Sequence, residues 1–166
     1  MKTITQSMVT ETIKKRATHT HKGSFGRLLV IGGNAQFGGA IILTSSAAVY
    51  SGTGLVTTAT HSTNFASLHA RLPETMVIDF QNDTELKKLI KTVDGIVIGP
   101  GLGEDKLALQ VVQAVFQSIQ STQHLIIDGS AIDLVAAPHL SLPDAKIVFT
   151  PPEMEWQRLS GIPIAD

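Results

Sequence analysis

Two glycine-rich turns, each placed where an apolar run gives way to a helical pattern, are the stretches of this chain best suited to chemistry. The first reads Gly32-Gly33-Asn34-Ala35-Gln36-Phe37-Gly38-Gly39, between a strand pattern at Arg27–Ile31 and a small-residue helix from Ala40 to about Tyr50. The second reads Gly99-Pro100-Gly101-Leu102-Gly103, between Ile96–Ile98 and a helix from Glu104 to about Ile119. Glycines let the backbone turn sharply and approach a ligand closely. The helix start that follows offers unpaired N–H groups, so strand, loop and helix together are expected to form an anion-binding unit, the alternative being a tight turn under a buried helix with no ligand. Neither common phosphate signature is met. Gly33 and Gly38 have Walker A spacing, but Gly39-Ala40 follow where that motif needs Lys and Ser/Thr, and G-x-G-x-x-G is missing.

The same pattern recurs twice more. Leu125-Ile126-Ile127-Asp128-Gly129 is a strand ending in a carboxylate and a glycine. Asp128 reads equally as a site carboxylate or as a loop or capping aspartate, and Ser130 can cap the helix that follows. Lys146–Thr150 then runs into Thr150-Pro151-Pro152-Glu153-Met154-Glu155. The prolines force an extended exit and pre-set a helix start. Glu155 falls in its first turn, where the helix dipole alone would favour a carboxylate. Gly161 is a predicted C-cap. Earlier in the chain, His19 and His21 share one side of an extended segment, but no further ligand follows at metal spacing. Lys22 is a cation close in sequence to the first loop, where it could help hold an anion. Lys14-Lys15-Arg16 reads as a solvated helix end.

The elements that position these residues alternate. A short amphipathic helix around Val9 and Ile13 comes first. A strand at Leu55–Thr60, a helix at Asn64–Leu72, a strand at Met76–Phe80 and a helix at Thr84–Thr92 capped by Asp83 lie between the two loops. Ala40, Ile41, Ile42, Leu43, Ala47, Ala48 and Val49 leave the helix after the first loop little polar face, which predicts burial almost all round. Alternation throughout predicts an α/β fold, a mostly parallel sheet with helices on both faces, forming a single domain over 1–166. Loops at the C-terminal ends of such strands share one edge, where open α/β sheets bind ligands.

Composition narrows the function. The 166 residues are 43% apolar and 16% charged, with a net charge of −1 and 5% aromatics. A basic nucleic-acid face and base-stacking platforms are therefore not expected. There is no cysteine, which excludes disulfides and thiolate metal sites. No apolar run has membrane-spanning length and no signal-peptide core is present. The expected setting is cytoplasmic, without nucleic-acid or membrane partners.

Taken in order, the loops resemble those of the ADP- or ATP-dependent NAD(P)H-hydrate dehydratases, a carbohydrate-kinase-like family of the ribokinase-like fold. The matching residues are HKGSFGRLLVIGG from His21 to Gly33, Phe37-Gly38-Gly39-Ala40, Ser51-Gly52-Thr53-Gly54-Leu55-Val56, and Leu72-Pro73-Glu74 with Met76-Val77. They continue with Ile98-Gly99-Pro100-Gly101-Leu102-Gly103, Asp128-Gly129, and Thr150-Pro151 with Glu155 and Arg158-Leu159. The resemblance implies a lyase that repairs NADH hydrate or NADPH hydrate. ADP or ATP, with Mg2+, would phosphorylate the ring hydroxyl, and loss of phosphate would restore the reduced cofactor. It implies that Ala40 and Gly103 contact the hydrate, supported by the loops around Gly39, Gly101, Asp128 and Glu155, and that the protein is a homo-oligomer.

Two departures qualify it. The family has Thr-Pro-His where this chain has Thr150-Pro151-Pro152, and Pro152 brings neither a side-chain donor nor an N–H. The family's later nucleotide loop and its Gly-x-Gly-Asp motif, whose aspartate is the expected base, do not occur in these 166 residues; Gly52-Thr53-Gly54-Leu55 lacks the aspartate. The C-terminal part of the fold is thus expected to be absent and the chain to be catalytically incomplete. The alternatives are a non-catalytic, truncated nucleotide-binding protein and a related kinase of a vitamin precursor or sugar.

Overall fold

The computed structural model describes residues 3–136 and 140–164. Helix α1 (Gln6–Thr12) precedes β1 (Arg27–Ile31), α2 (Gly38–Tyr50), β2 (Leu55–Thr60), α3 (Phe65–Arg71) and β3 (Met76–Asp79). Then follow α4 (Asp83–Ile90), β4 (Gly95–Ile98), α5 (Lys106–Ser118), β5 (His124–Ile127), α6 (Ser130–Ala136), β6 (Lys146–Phe149) and α7 (Glu153–Ser160). The strands form one six-stranded parallel sheet in the order β3-β2-β1-β4-β5-β6. This α/β arrangement on a parallel sheet is the predicted class. From β1 the chain winds outward to β3, and from β4 it winds outward the other way. The order therefore reverses between β1 and β4, the two strands that feed the glycine loops, and the crevice of such a sheet opens at that switch point.

Alternate residues of each strand serve opposite faces. Leu29, Ile31, Ile96, Ile98, Leu125 and Ile127 face α4, α5 and α6 and form the main core. Val30, Val56 and Val97 face α2 and pack on Ile41. The second face is covered unevenly. The register puts Val97, Ile126 and Val148 in one row, yet Val148 is 53% exposed because among the described residues no helix lies over it. That uneven cover corrects one expectation. Helix α2 packs on β1 and β2 by one flank, so Leu43 and Tyr50 on its far flank stay 73% and 66% exposed rather than buried.

Several local assignments shift for identifiable reasons. Asn82, not Asp83, caps α4, its Oδ1 accepting from the Glu85 N–H. Asp83 instead lies in the first turn and pairs with Lys87 at 2.8 Å. Helix α5 starts later than Glu104, because Asp105 caps it by accepting from the Ala108 N–H. Arg16 lies beyond the end of α1 and is more than solvated charge. Its guanidinium sits 4.0 Å from the Phe25 ring centre and donates to the Gly52 carbonyl at 2.6 Å. Gly161 closes α7 in the left-handed region, as expected of a C-cap. No helix among the described residues is long and apolar enough to cross a membrane.

Candidate functional site

The two glycine loops are joined backbone to backbone. The Gly33 N–H donates to the Pro100 carbonyl at 2.8 Å and the Asn34 N–H to the Gly101 carbonyl at 2.7 Å. Gly32 has to be a glycine, since a side chain there would overlap the Pro100 carbonyl. Asn34 then turns the first loop toward α2, its Oδ1 accepting from the Gln36 and Phe37 N–H groups at 2.9 Å each. No side chain caps the start of α2. A Cβ added to Gly39 would meet nothing within 4 Å. The first turn of α2 thus presents N–H groups to open space, which is the electrostatics an anionic ligand needs.

The predicted site residues gather at this edge of the sheet. Ala40 lies in the first turn of α2, and its Cβ is 3.1 Å from where a Gly101 side chain would begin. Gly103 follows in the second loop, its N–H donating to Ser130 Oγ at 3.2 Å. Ser130 is the first residue of α6, and its hydroxyl takes this loop N–H. Asp128 leaves the end of β5, and its Oδ1 accepts from Thr150 Oγ1 at 2.7 Å, joining the third and fourth strand exits. Pro152 is the N-cap residue of α7, extended and without a side-chain cap bond. Glu155 lies one turn in. Lys22 is not part of this group. It belongs to a short turn at Lys22–Phe25 before β1, at the opposite end of the strands, because that turn pairs with Gly54 and the start of β2.

Glu155 is the electrostatically unusual member. The side chain is half-buried, but its Oε2 is shielded and has no hydrogen-bond partner among the described residues. Burial first, then the negative charges of Asp133 and Asp128, push its carboxyl above the usual range, against a smaller pull from Arg158. Arg158 is itself held by an ion pair with Asp133. A folded pKa above the unfolded one means the folded chain holds this proton more tightly. The stabilisation is complete below the ordinary carboxylate pKa and is lost as pH rises through the folded value. Replacing Glu155 with Gln should therefore stabilise the chain relative to wild type at neutral pH and not at acid pH. Paired melting curves across that range test this, and a pH-independent difference would refute it.

Residues outside the predicted substrate contacts hold these loops together. Asn64, Ser130 and Thr150 each bond a loop to its neighbour through their side chains, and Asn34 does so through its main-chain N–H while its side chain closes its own turn. Asn and Ser beside glycine are common turn residues, so their composition carried little signal.

A family model described as NAD(P)H-hydrate dehydratase, of the carbohydrate-kinase type, matches residues 28–166. The ADP-dependent (S)-NAD(P)H-hydrate dehydratase of Lactiplantibacillus plantarum is 54% identical over 166 residues, covering 100% of this chain and 60% of that protein. A ribokinase-like superfamily protein from Enterococcus faecalis superposes with a TM-score of 0.88 at 47% identity, over 91% of this chain and 54% of that one. An ADP/ATP-dependent NAD(P)H-hydrate dehydratase from Bacillus subtilis, co-crystallised with ATP and Mg2+, gives a TM-score of 0.80 at 26% identity, over 96% of this chain and 56% of that one. The chain thus spans little more than half the length of these relatives. The family model, matched over residues 28–166, makes this chain a member of the NAD(P)H-hydrate dehydratase family.

Proposed function

We propose that this chain forms the substrate-side half of an ADP- or ATP-dependent dehydratase acting on the hydrated form of NADH or NADPH. The observation that carries the reading is the pair of crossed loops at the switch point, with the uncapped start of α2 beside them and Asp128 and Glu155 on the same edge. In this reading Ala40 and Gly103 lie against the hydrated nicotinamide, where small residues admit a bulky ring. Gly39 and Gly101 shape the loops around it. The α2 N–H groups orient the ligand's phosphates. Pro152 gives that loop no donor, so its substrate contact is by shape alone.

Magnesium fits the chemistry of this edge in a limited way. Mg2+ keeps most of its waters and takes one or two carboxylates plus phosphate oxygens. Glu155, with its shielded and unpartnered oxygen among negative neighbours, is suited to one such contact. Among the described residues no cluster of three or more acidic or His groups forms a metal cage. When bound, the ion would neutralise charge on the nucleotide.

The reaction itself needs a base and a nucleotide loop, and these 166 residues supply neither motif. The reading therefore separates binding from turnover. The chain binds the hydrate and, by itself, does not dehydrate it. The uncovered row at Val148 and the exposed Leu43 and Tyr50 support further packing on that face, in keeping with a homo-oligomeric cytoplasmic enzyme organised as a single α/β domain.

The test uses the folded 166-residue chain, NADH hydrate, and ADP or ATP with Mg2+. Calorimetry is expected to show saturable binding, and the nicotinamide absorbance is expected not to recover. Absence of any dinucleotide binding would refute the substrate assignment. Robust recovery of absorbance would refute the incompleteness of this chain.

A further inference from the structure

A cavity of about 330 Å3 opens beside the crossed loops, on the side away from α2. His61, Phe80, Gln81, Leu102, Leu107 and Gln36 line it. Its floor is apolar, with Phe80 and Leu102 only 3% and 1% exposed. Its rim carries uncharged amides and one imidazole. Asp105, also on the wall, spends Oδ1 on the α5 cap.

His61 is fixed in this wall. Its N–H donates to the Gly33 carbonyl at 3.1 Å, tying the residue to the first loop. Its Nδ1 accepts from the Thr63 N–H at 3.3 Å and pairs with Thr63 Oγ1 at 2.9 Å. An Nδ1 that accepts from a backbone N–H leaves the neutral ring's proton on Nε2. That second nitrogen has no partner among the described residues and remains a donor. The ring meets Phe80 edge to face, with centres 6.4 Å apart.

The chemistry of the walls selects the occupant. Among the described residues no Lys or Arg lines the cavity, and the one charged side chain on its wall, Asp105, repels anions. A phosphate is therefore disfavoured here and favoured at the α2 start next to it. A flat, uncharged heterocycle with donors and acceptors on its edge fits an apolar floor under an amide and imidazole rim. A nucleobase has those properties. Asn34 links the cavity to Gly103: it lines the cavity, and its Nδ2 lies 2.7 Å from where a Gly103 side chain would begin.

We propose that this cavity holds the purine base at the non-reacting end of the dinucleotide, with His61 Nε2–H donating to a ring nitrogen of that base. This rests on the dinucleotide reading above. His61 is then a specificity-determining residue and takes no part in the chemistry. Its contact would fix the far end of the ligand while the phosphates lie along the loops.

The probes are adenosine monophosphate, nicotinamide mononucleotide and NADH hydrate, titrated into the folded chain and two variants. His61→Phe keeps an aromatic ring and removes the donor. His61→Gln restores a donor at similar reach. Melting curves confirm that each variant is folded. Adenosine monophosphate is expected to bind about tenfold more weakly to His61→Phe, with most of the loss recovered in His61→Gln. Nicotinamide mononucleotide is expected to bind all three proteins alike. If NADH hydrate binds but adenosine monophosphate does not, or binds all three proteins equally, the base site is refuted and the dinucleotide reading stands. If NADH hydrate and both mononucleotides fail to bind folded wild type, both fall together.

Discussion

Replacing Gly99 with alanine is expected to lower the melting temperature by roughly 10 °C, at about 2–4 °C per kcal/mol for a domain of this size. Gly99 leaves β4 at a φ of 121°, a region that residues with a side chain rarely adopt. An added Cβ would overlap the Asp128 carbonyl oxygen and stand 2.8 Å from the Ala131 Cβ. Both obstacles belong to fixed parts of the fold, and neither can swing aside as a long side chain could. The surrounding ladder holds them in place. The Gly99 N–H donates to the Ile31 carbonyl at 3.0 Å and the Asp128 N–H to the Ile98 carbonyl at 3.0 Å. Backbone strain and overlap together should cost about 4 kcal/mol, at the upper end for one substitution. Calorimetry of the two proteins decides the matter. A shift below about 2 °C would show that the second loop moves freely against β5.

Asn64→Ala is expected to cost about 2–3 kcal/mol and to loosen the first loop. Asn64 is 8% exposed although it is polar. Its Nδ2 donates to the Gly33 carbonyl at 2.8 Å, to Thr60 Oγ1 at 3.0 Å and to the Asn34 carbonyl at 3.2 Å. Thr60 Oγ1 also donates to the Gly33 carbonyl at 2.8 Å. One amide therefore ties the exit of β1 to the end of β2. Its removal leaves buried acceptors with fewer partners than they need. The amides of Gln36 and Phe37 should then exchange with solvent at least tenfold faster, by roughly 1.4 kcal/mol of local opening. Asn64→Asp is a sharper version of the same test. At neutral pH it would set a carboxylate against carbonyl oxygens, so it should be less stable than Asn64→Ala there and recover in acid. Unchanged exchange at Gln36 and Phe37 in Asn64→Ala would show that the contacts to Pro100 and Gly101 alone hold the loop.

Much of this architecture could be read along the chain because it rests on local rules. Short apolar runs at Arg27–Ile31, Leu55–Thr60 and Ile96–Ile98, each followed by turn residues and a helical period, require parallel strands with crossovers. The placing of both glycine loops at one edge follows from that topology. Asp128 and Glu155 could be located on the same edge for the same reason. The family could be recognised from the order of the loops.

What only the tertiary structure decided concerns contacts between segments far apart in sequence. The composition of α2 predicts burial almost all round, but burial depends on what stands opposite, and among the described residues nothing covers the flank that carries Leu43 and Tyr50. Lys22 is ten residues from the first loop, yet the strand between them carries it to the far end of the sheet. Asn82 takes the cap from Asp83 because the turn after β3 places its Oδ1 on the Glu85 N–H. The shift of Glu155 depends on burial first and then on Asp133 and Asp128, which come together with it only after β5, α6 and α7 have packed. The cavity at His61 joins residues from the loop exits of β1, β2, β3 and β4 and from α5. Helical and strand periods report a segment's own geometry. Electrostatics, caps and cavities report what surrounds it, and here the reversal of strand order between β1 and β4 sets those surroundings.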